Sequence, residues 1–440
     1  MSSPSQPPSP LAKVIAFLSS YGLATAVLLM LLILTFLGTL EQAEHGLVAS
    51  QARYFESAFI DRIDIGACWR ALALNAYKDI GNVELPLYIV PGGYTLMAVL
   101  FVNLLIGGII RIRKSPKTIG VIISHFAILF MIAAGAVTHH FAKEGNMTLR
   151  EGETKDEFVS FHDRVIEIEK LQKDPKAKRS VLVIDESRFR DVTTPGQGRT
   201  FTHESLPFDL VITGWKKNAR PKRATEPGRR DEVDGYYIQE ISNLDETGAA
   251  MADEQLASAC IAIAKSKSGG PVQNGILWEM AAAPWTVTAG EDKYLISLTH
   301  RTYKLPFAVR LDHTEEEKHP GTERARRFSS NVTKLSDGHE EKRLITMNEP
   351  VRSQGYAVFQ STFSSGENDG SGGVKSSGFM IVENPADHWP LISCIIVAEG
   401  LLLHFLMMLA RFIKVNPWSF SLGLIVVFNA AFALAMWKLL

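Results

Sequence analysis

The chain has 440 residues, with 46 Lys and Arg against 47 Asp and Glu, giving a formal net charge of -1. That balance excludes a nucleic-acid binder, which needs a basic excess. Three cysteines (Cys68, Cys260, Cys394) are too few and too scattered for a disulfide scaffold or a zinc cluster.

Hydrophobic residues make up 46% of the chain. The mean hydropathy of +0.05 averages two unlike parts. Charge is almost absent from the two ends and crowded into the middle. No CxxCH motif occurs, so the chain is not itself a c-type cytochrome.

In chain order, residues 1–20 open with the Pro/Ser-rich run SSPSQPPSP and read as a disordered cytoplasmic tail. A membrane domain follows over 21–138. A hydrocarbon core needs roughly 20 apolar residues of helix. Leu23–Leu40 supplies the first span, too late and too long for a cleaved signal. The second span is 88–110, with a ragged start at Pro91-Gly92-Gly93, and the third is 119–137. A fourth falls at 391–410 and a fifth at 419–437, weakened by Asn429.

Lys and Arg in short loops set orientation. Arg111, Arg113, Lys114 and Lys117 sit between spans two and three, and Arg411 and Lys414 follow span four. Both turns are expected in the cytoplasm, with the N-terminus inside and 139–390 outside. The expected location is the cell inner (cytoplasmic) membrane, crossed several times.

The stretch 139–390 is too long for a loop and must fold. Segments such as FDLVITGW, YLISLTH and FAVRLDH alternate apolar with polar residues over strand lengths. Glu254–Lys265 reads as helical. The fold class is an α-helical integral membrane protein of four or five spans with a large, β-rich extracytoplasmic domain, a sandwich or open barrel.

These pieces resemble a family. Span one ends Gly38-Thr39-Leu40-Glu41-Gln42, like the G-T-x-x-Q of ResB proteins, and span three carries Gly120 and His125 as G-x-x-x-x-H. The outer domain runs Leu305-Pro306-Phe307, Pro320-Gly321-Thr322, Phe328-Ser329-Ser330, Asn348-Glu349-Pro350, Gly355-Tyr356 and Gln360-Ser361, in the family's order. The resemblance to ResB (also called CcsB) implies one half of a system II cytochrome c maturation complex. It implies a CcsA- or ResC-type tryptophan-rich partner, heme b shared with that partner, and apocytochrome c as the recipient. The seven Trp of this chain form no tryptophan-rich motif, so it looks like the ResB half alone.

Polar groups inside a bilayer are costly and mark function. His125 lies roughly 10 Å, and His404 roughly 9 Å, from the cytoplasmic ends of their spans. Asn103 lies at a similar level. Imidazole is an ordinary axial ligand of heme iron. In the resembled family a histidine of the third helix helps hold heme, and that role falls on His125 by motif. His404 is the second ligand candidate, and one heme held by both is an arrangement to test. The bland alternative for each is an interhelical hydrogen bond. Glu399, near the middle of span four, is expected to be protonated or paired across helices.

His139 and His140, where span three ends, and His388, before span four, are weaker candidates for an outer heme-accessible cluster. A redox role for Cys68 and Cys260 lacks a CxxC. No catalytic triad or phosphate loop occurs, so a non-catalytic, heme-handling subunit of a heme-lyase complex is expected. The rivals are a membrane-anchored structural or permease-like subunit without a heme role, and a thiol reductase.

Overall fold

A computed structural model describes residues 9–72, 84–172, 180–225, 231–244, 250–322, 325–336, 338–366, 373–412 and 425–432. They fall into two compact units. One comprises the described residues within 1–142 and 384–440, with Ala250; the other comprises the rest of 143–383. The chain is a multi-pass membrane protein with a β-rich domain: among the described residues four helices are long and apolar enough to cross a membrane. The expected fifth span lies largely outside the described residues, of which 425–432 are helical.

In the first unit a short helix α1 (Pro10–Leu18) precedes α2 (Tyr21–Tyr54), each capped by a serine hydroxyl, Ser9 and Ser20. α2 runs well past the apolar stretch that ends at Leu40. Its continuation breaks at Gly46, whose φ of 79 needs a residue without a Cβ. What holds the extension is Glu41, a fully buried carboxylate. It accepts from the Arg53 guanidinium, the Tyr54 hydroxyl (2.6 Å) and the Asp64 amide (2.6 Å). Gly38 has no side chain because the Phe55 ring lies 3.2 Å from where a Cβ would stand. The G-T-x-x-Q stretch is thus the base of a folded-back corner.

From that corner β1 (Phe59–Asp64) pairs antiparallel with β2 (Glu84–Pro91), with α3 (Ile65–Leu72) starting on the Asp64 side chain, which caps the Ala67 amide. The second span is α4 (Gly93–Asn103), continued by a π-helical turn, Leu104–Ile110. The chain at 88–91 is strand, so the ragged start is real. The remaining long helices among the described residues are α5 (Ile119–Phe141) and α6 (Trp389–Phe412).

α5 and α6 touch backbone to backbone. A Cβ on Gly120 would meet the Gly400 carbonyl at 2.5 Å, and one on Gly400 would meet Ser124 Oγ at 2.5 Å. Small residues let membrane helices approach closely where no hydrophobic drive exists between them.

Among the described residues, the regular elements of the second unit are strands and short 3-10 turns. The largest sheet contains β3 (Lys143–Arg150), β4 (Thr154–Lys170), β5 (Val181–Asp185), and, later in the chain, six further strands and a short one. A second sheet is formed by β6 (Gly198–Phe201), β7 (Phe208–Lys216), β10 (Ala259–Ser266) and β11 (Gln273–Trp278), in the order β11-β10-β7-β6. β8 (Ala219–Arg223) and β9 (Tyr236–Glu240) make a separate hairpin.

The later strands of the large sheet are β12 (Trp285–Ala289), β13 (Asp292–Lys318), β14 (Ala325–Ser336) and β15 (His339–Thr346). β16 (Val351–Ser353), β17 (Tyr356–Ser364) and β18 (Ser376–Glu383) follow. The sheet runs β15-β14-β13-β4-β3-β18-β17-β16, with β12 on β13 and β5 on β4.

The long strands β4 and β13 each serve two cores. Ile166, Ile168, Ile296 and Leu298 pack against Phe208, Leu210 and Ile212 of the second sheet, making a sandwich. Phe158, Leu305, Phe307, Val309 and Leu311 pack with Phe379 and Ile381 in the other core. The register of β13 on β4 breaks between Lys304 and Val309, where Pro306 removes a ladder donor. The LPF motif therefore marks the crossing from one core to the next.

The expected helix at Glu254–Lys265 is instead a 3-10 turn, Asp253–Gln255, followed by β10. Ala-rich ACIAIAKS reads as helix by propensity. It is a central strand buried on both faces, where small and β-branched residues fit between neighbours.

Candidate functional site

The α5–α6 contact fixes which way α5 presents its histidine. Gly120 and Ser124 face α6, and His125, about 100° further round the helix, faces the π-helical turn. A Cβ on Gly108 would lie 2.9 Å from both Cγ and Nδ1 of His125, so glycine is what leaves room for the ring. Ser124 donates to the Gly120 carbonyl at 3.0 Å and makes no demand on the imidazole. His125 is half-buried, and its Nδ1 is enclosed without a hydrogen bond. An enclosed imidazole nitrogen without a partner is uncommon and asks for an explanation. Nε2 is the nitrogen left for a group brought from outside.

His404 lies on the far side of the same helix contact, its backbone nitrogen 2.8 Å from the position of a Cβ on Gly120. Its Nδ1 is also enclosed and unpartnered. The ring lines a groove of about 860 Å³ between residues 113–122 and the end of α6. His125 is not among the residues that line it. The two imidazoles thus occupy different seams, one against the π-helical turn and one in the groove.

Asn103 is engaged elsewhere. Its Nδ2 donates to the carbonyls of Leu18 (2.7 Å) and Ser20 (3.1 Å), closing the corner between α1 and α2. Glu399 is half-buried on α6 and forms no hydrogen bond or ion pair among the described residues.

At the other end of α5, His139 Nε2 meets the Tyr94 hydroxyl at 2.7 Å and its ring lies 5.0 Å from that of His140. Both histidines are exposed. His388 is exposed beside Asp387, at 3.9 Å, and no hydrogen bond or ring contact joins it to the pair among the described residues. Its neighbour Trp389 stacks on Phe130, with ring centroids 4.9 Å apart.

Cys68 is buried, and burial, with the Glu41 and Asp64 carboxylates nearby, pushes its thiol up to about 11. Burial pushes Cys260 up as well. Neither offers the thiolate that exchange chemistry needs.

Two polar clusters in the β unit were not read from the sequence. Arg164 is buried, with Nε 3.0 Å from Glu279, Nη1 3.2 Å from Asp253, and Nη2 donating to the carbonyls of Asp253 (2.7 Å) and Leu256 (3.1 Å). Glu279 also accepts from the Ser258 amide (2.9 Å) and pairs with His300. Burial alone would raise its pKa; those hydrogen bonds and the Arg164 charge more than reverse this and hold it at about 2. The signal in the sequence was parity: Arg164 shares the inward phase of Ile166 and Ile168 on β4.

The second cluster links family-like motif residues. Ser330 donates to Gln360 Oε1 at 2.6 Å and lies 2.8 Å from Ser377 Oγ, which is 2.9 Å from Thr314 Oγ1. All four are buried. They tie β13, β14, β17 and β18 together, so these motif letters carry structure rather than chemistry.

No curated protein matches the chain. A model described as the ResB-like family matches residues 278–375, from β11 through the Ser330 and Gln360 strands, which is consistent with a ResB/CcsB-like protein of system II and supports a role related to cytochrome c biogenesis.

Proposed function

We propose that the chain is the ResB-like component of a system II cytochrome c maturation complex. It acts with a CcsA- or ResC-type membrane partner to bring heme b across the inner membrane for attachment to apocytochrome c. The observation that carries this reading is His125, an imidazole inside a membrane helix bundle, seated over Gly108 with only Nε2 free for an outside group. Heme would supply an iron that takes imidazole nitrogen. His125 would be the residue of this chain that holds it, while His404 lines a separate groove. The Lys/Arg-bearing turns support a cytoplasmic N-terminus and an outward β domain. The β domain, with its two cores, is then the rigid platform for apocytochrome c or the partner's outer loop. On this reading the chain's role is holding and presenting heme.

The test is the Soret absorbance of the full chain, co-expressed with a CcsA-type partner and purified in detergent. His125→Ala is expected to lose most of the heme at unchanged protein level, and added imidazole is expected to restore the band. Unchanged heme content in that variant would overturn the assignment. It would leave the rival, a membrane anchor displaying a β domain without a heme role.

A further inference from the structure

Exposed strand edges invite pairing, so proteins guard them with charges, with shortness or with covering groups. Such guards are visible on the β unit. β15 carries Glu340, Glu341, Lys342 and Arg343 in a row, and β16 is three residues long. On β12 the Gln273 side chain imitates a strand: its amide accepts from the Thr288 N–H (3.0 Å) and donates to the Thr288 carbonyl (2.7 Å). β6 is four residues long, and its Arg199 is committed to the Arg188 carbonyl and to Asp191. β5 has no guard of these kinds. Val181-Leu182-Val183-Ile184 is uncharged, and its pairing with β4 runs from Glu169–Val181 to Val165–Asp185 without a bulge. The opposite edge makes no backbone hydrogen bond among the described residues. Val181 and Val183 are 38% and 41% exposed. Beside this edge a groove of about 580 Å³ opens between the two sheets. Ile168, Ile184 and Leu206 give it an apolar lining, and Phe201 reaches it from β6. Arg188 lines it too, its guanidinium 5.5 Å from the centroid of the Phe201 ring and without a hydrogen bond or ion pair among the described residues.

These features select an occupant. A free strand edge offers amide donors and carbonyl acceptors in alternation, and another extended backbone answers both. A phosphate headgroup or a carboxylic acid supplies acceptors without the matching row of donors. Alternate side chains of a strand laid on β5 point to opposite faces, one set into the groove and the other beside Val181 and Val183. Both surroundings are apolar. Just past the end of β5, Arg188 supplies an unpaired cation suited to a carboxylate. We propose that the β5 edge receives an extended segment of a partner polypeptide, apolar at the positions that enter the groove and acidic at the end that meets Arg188. The mode is strand addition: backbone pairing holds the segment, and the groove selects its side chains. The inference goes beyond the heme reading and uses none of it.

The experiment uses the full chain in nanodiscs of phosphatidylcholine, one copy to a disc. The probe is an end-blocked peptide, Asp-Val-Thr-Val-Thr-Val-Thr-Lys, with fluorescein on its lysine. Binding is read by anisotropy, and amide hydrogen exchange is read on β4 and β5. Saturable binding is expected, with β5 gaining protection. Two further peptides are N-methylated, one on its valines and one on its threonines, which blocks opposite edges of the strand. One of the two is expected to bind at least about tenfold more weakly, because it loses its backbone bonds, and the other to bind as the parent does. Val181→Lys with Val183→Lys charges the edge at exposed positions and is expected to abolish binding while β4 exchange stays unchanged, which shows that the sheet is intact. Arg188→Gln, or Asn in place of the peptide's Asp, is expected to lower affinity about threefold, and the two together no further. The proposal is overturned if the parent peptide fails to bind, if both methylated peptides bind as well as the parent, or if the double lysine variant binds as wild type does. It is also overturned if β5 is already protected before peptide is added, which would mean that the chain covers its own edge. Protection that appears only in discs holding two copies would make a second copy the occupant and overturns it as well. No heme enters these measurements, so failure here leaves the His125 assignment standing, and the reverse.

Discussion

Arg164 puts a full charge where its side chain is 1% exposed. Taking a guanidinium out of water costs several kcal/mol, and here two carboxylates and two carbonyls offset it. Such a cluster is costly to break from one side. Arg164→Ala leaves Glu279 and Asp253 without their shared cation and is expected to cost about 3–5 kcal/mol in unfolding free energy. The same cluster sets a pH dependence. Glu279 is held at about 2 in the folded chain against an ordinary value of 4.5. A carboxylate depressed by folding adds stability above its unfolded pKa, and that contribution disappears as pH falls through the folded one. Asp253, held low against burial by His162, Lys217 and Arg164, acts in the same direction. Denaturant unfolding of the full chain is therefore expected to show falling stability from about pH 5 to about pH 2. Glu279→Gln is expected to flatten that slope, and an unchanged slope would remove Glu279 from the account.

At the level of elements, the α5–α6 pair is held by contact rather than by a polar bond. Gly400→Val would press on Ser124 and on the Gly120 carbonyl, both within 2.8 Å of the new Cβ, and backbone cannot step aside as a side chain can. Forced overpacking of this kind costs about 1–3 kcal/mol. Ala398→Val, on the exposed face of the same helix, is expected to be nearly neutral. A thermal melt in detergent separates the two, and equal melting temperatures would show that the helices do not cross there. Four of the expected spans were readable, because an uncharged apolar run of sufficient length has one physical meaning. Gly120 and His125 were readable as a motif. The reasons for Gly108 and Gly400 were not, because a glycine's purpose is set by what lies opposite it on another helix. α2 ran past its apolar run because Glu41 found Arg53 and Tyr54 further along the chain, a pairing that hydropathy does not register. Segment 254–265 misled because alanine favours helix until burial on two faces decides otherwise. Ser330 and Gln360 stood out as letters in order, but that they bond each other across strands required the fold.

For the whole molecule, the near-zero net charge is the sum of two units stabilised in different ways. The β unit has two hydrophobic cores joined by the continuous strands β4 and β13, with buried charge at one and buried hydroxyls at the other. That continuity predicts one cooperative transition for the unit. The membrane unit relies mainly on close helix packing and on backbone bonds satisfied within each helix, with an acid-sensitive corner at Asp64, whose carboxylate is held low against burial by the Ala67 amide and His45. Arg164 and Gly400 belong to different units and share no partner, so their effects are expected to add. Calorimetry of the full chain in detergent should show two transitions. Acidification to about pH 3 and Arg164→Ala should each lower the one that carries the loss of strand signal. Gly400→Val should lower only the other, and the double variant should show both shifts at their single-variant sizes. A single transition that moves with every change would mean that the two units stabilise one another, and that the strand domain cannot be treated as a platform standing on its own core.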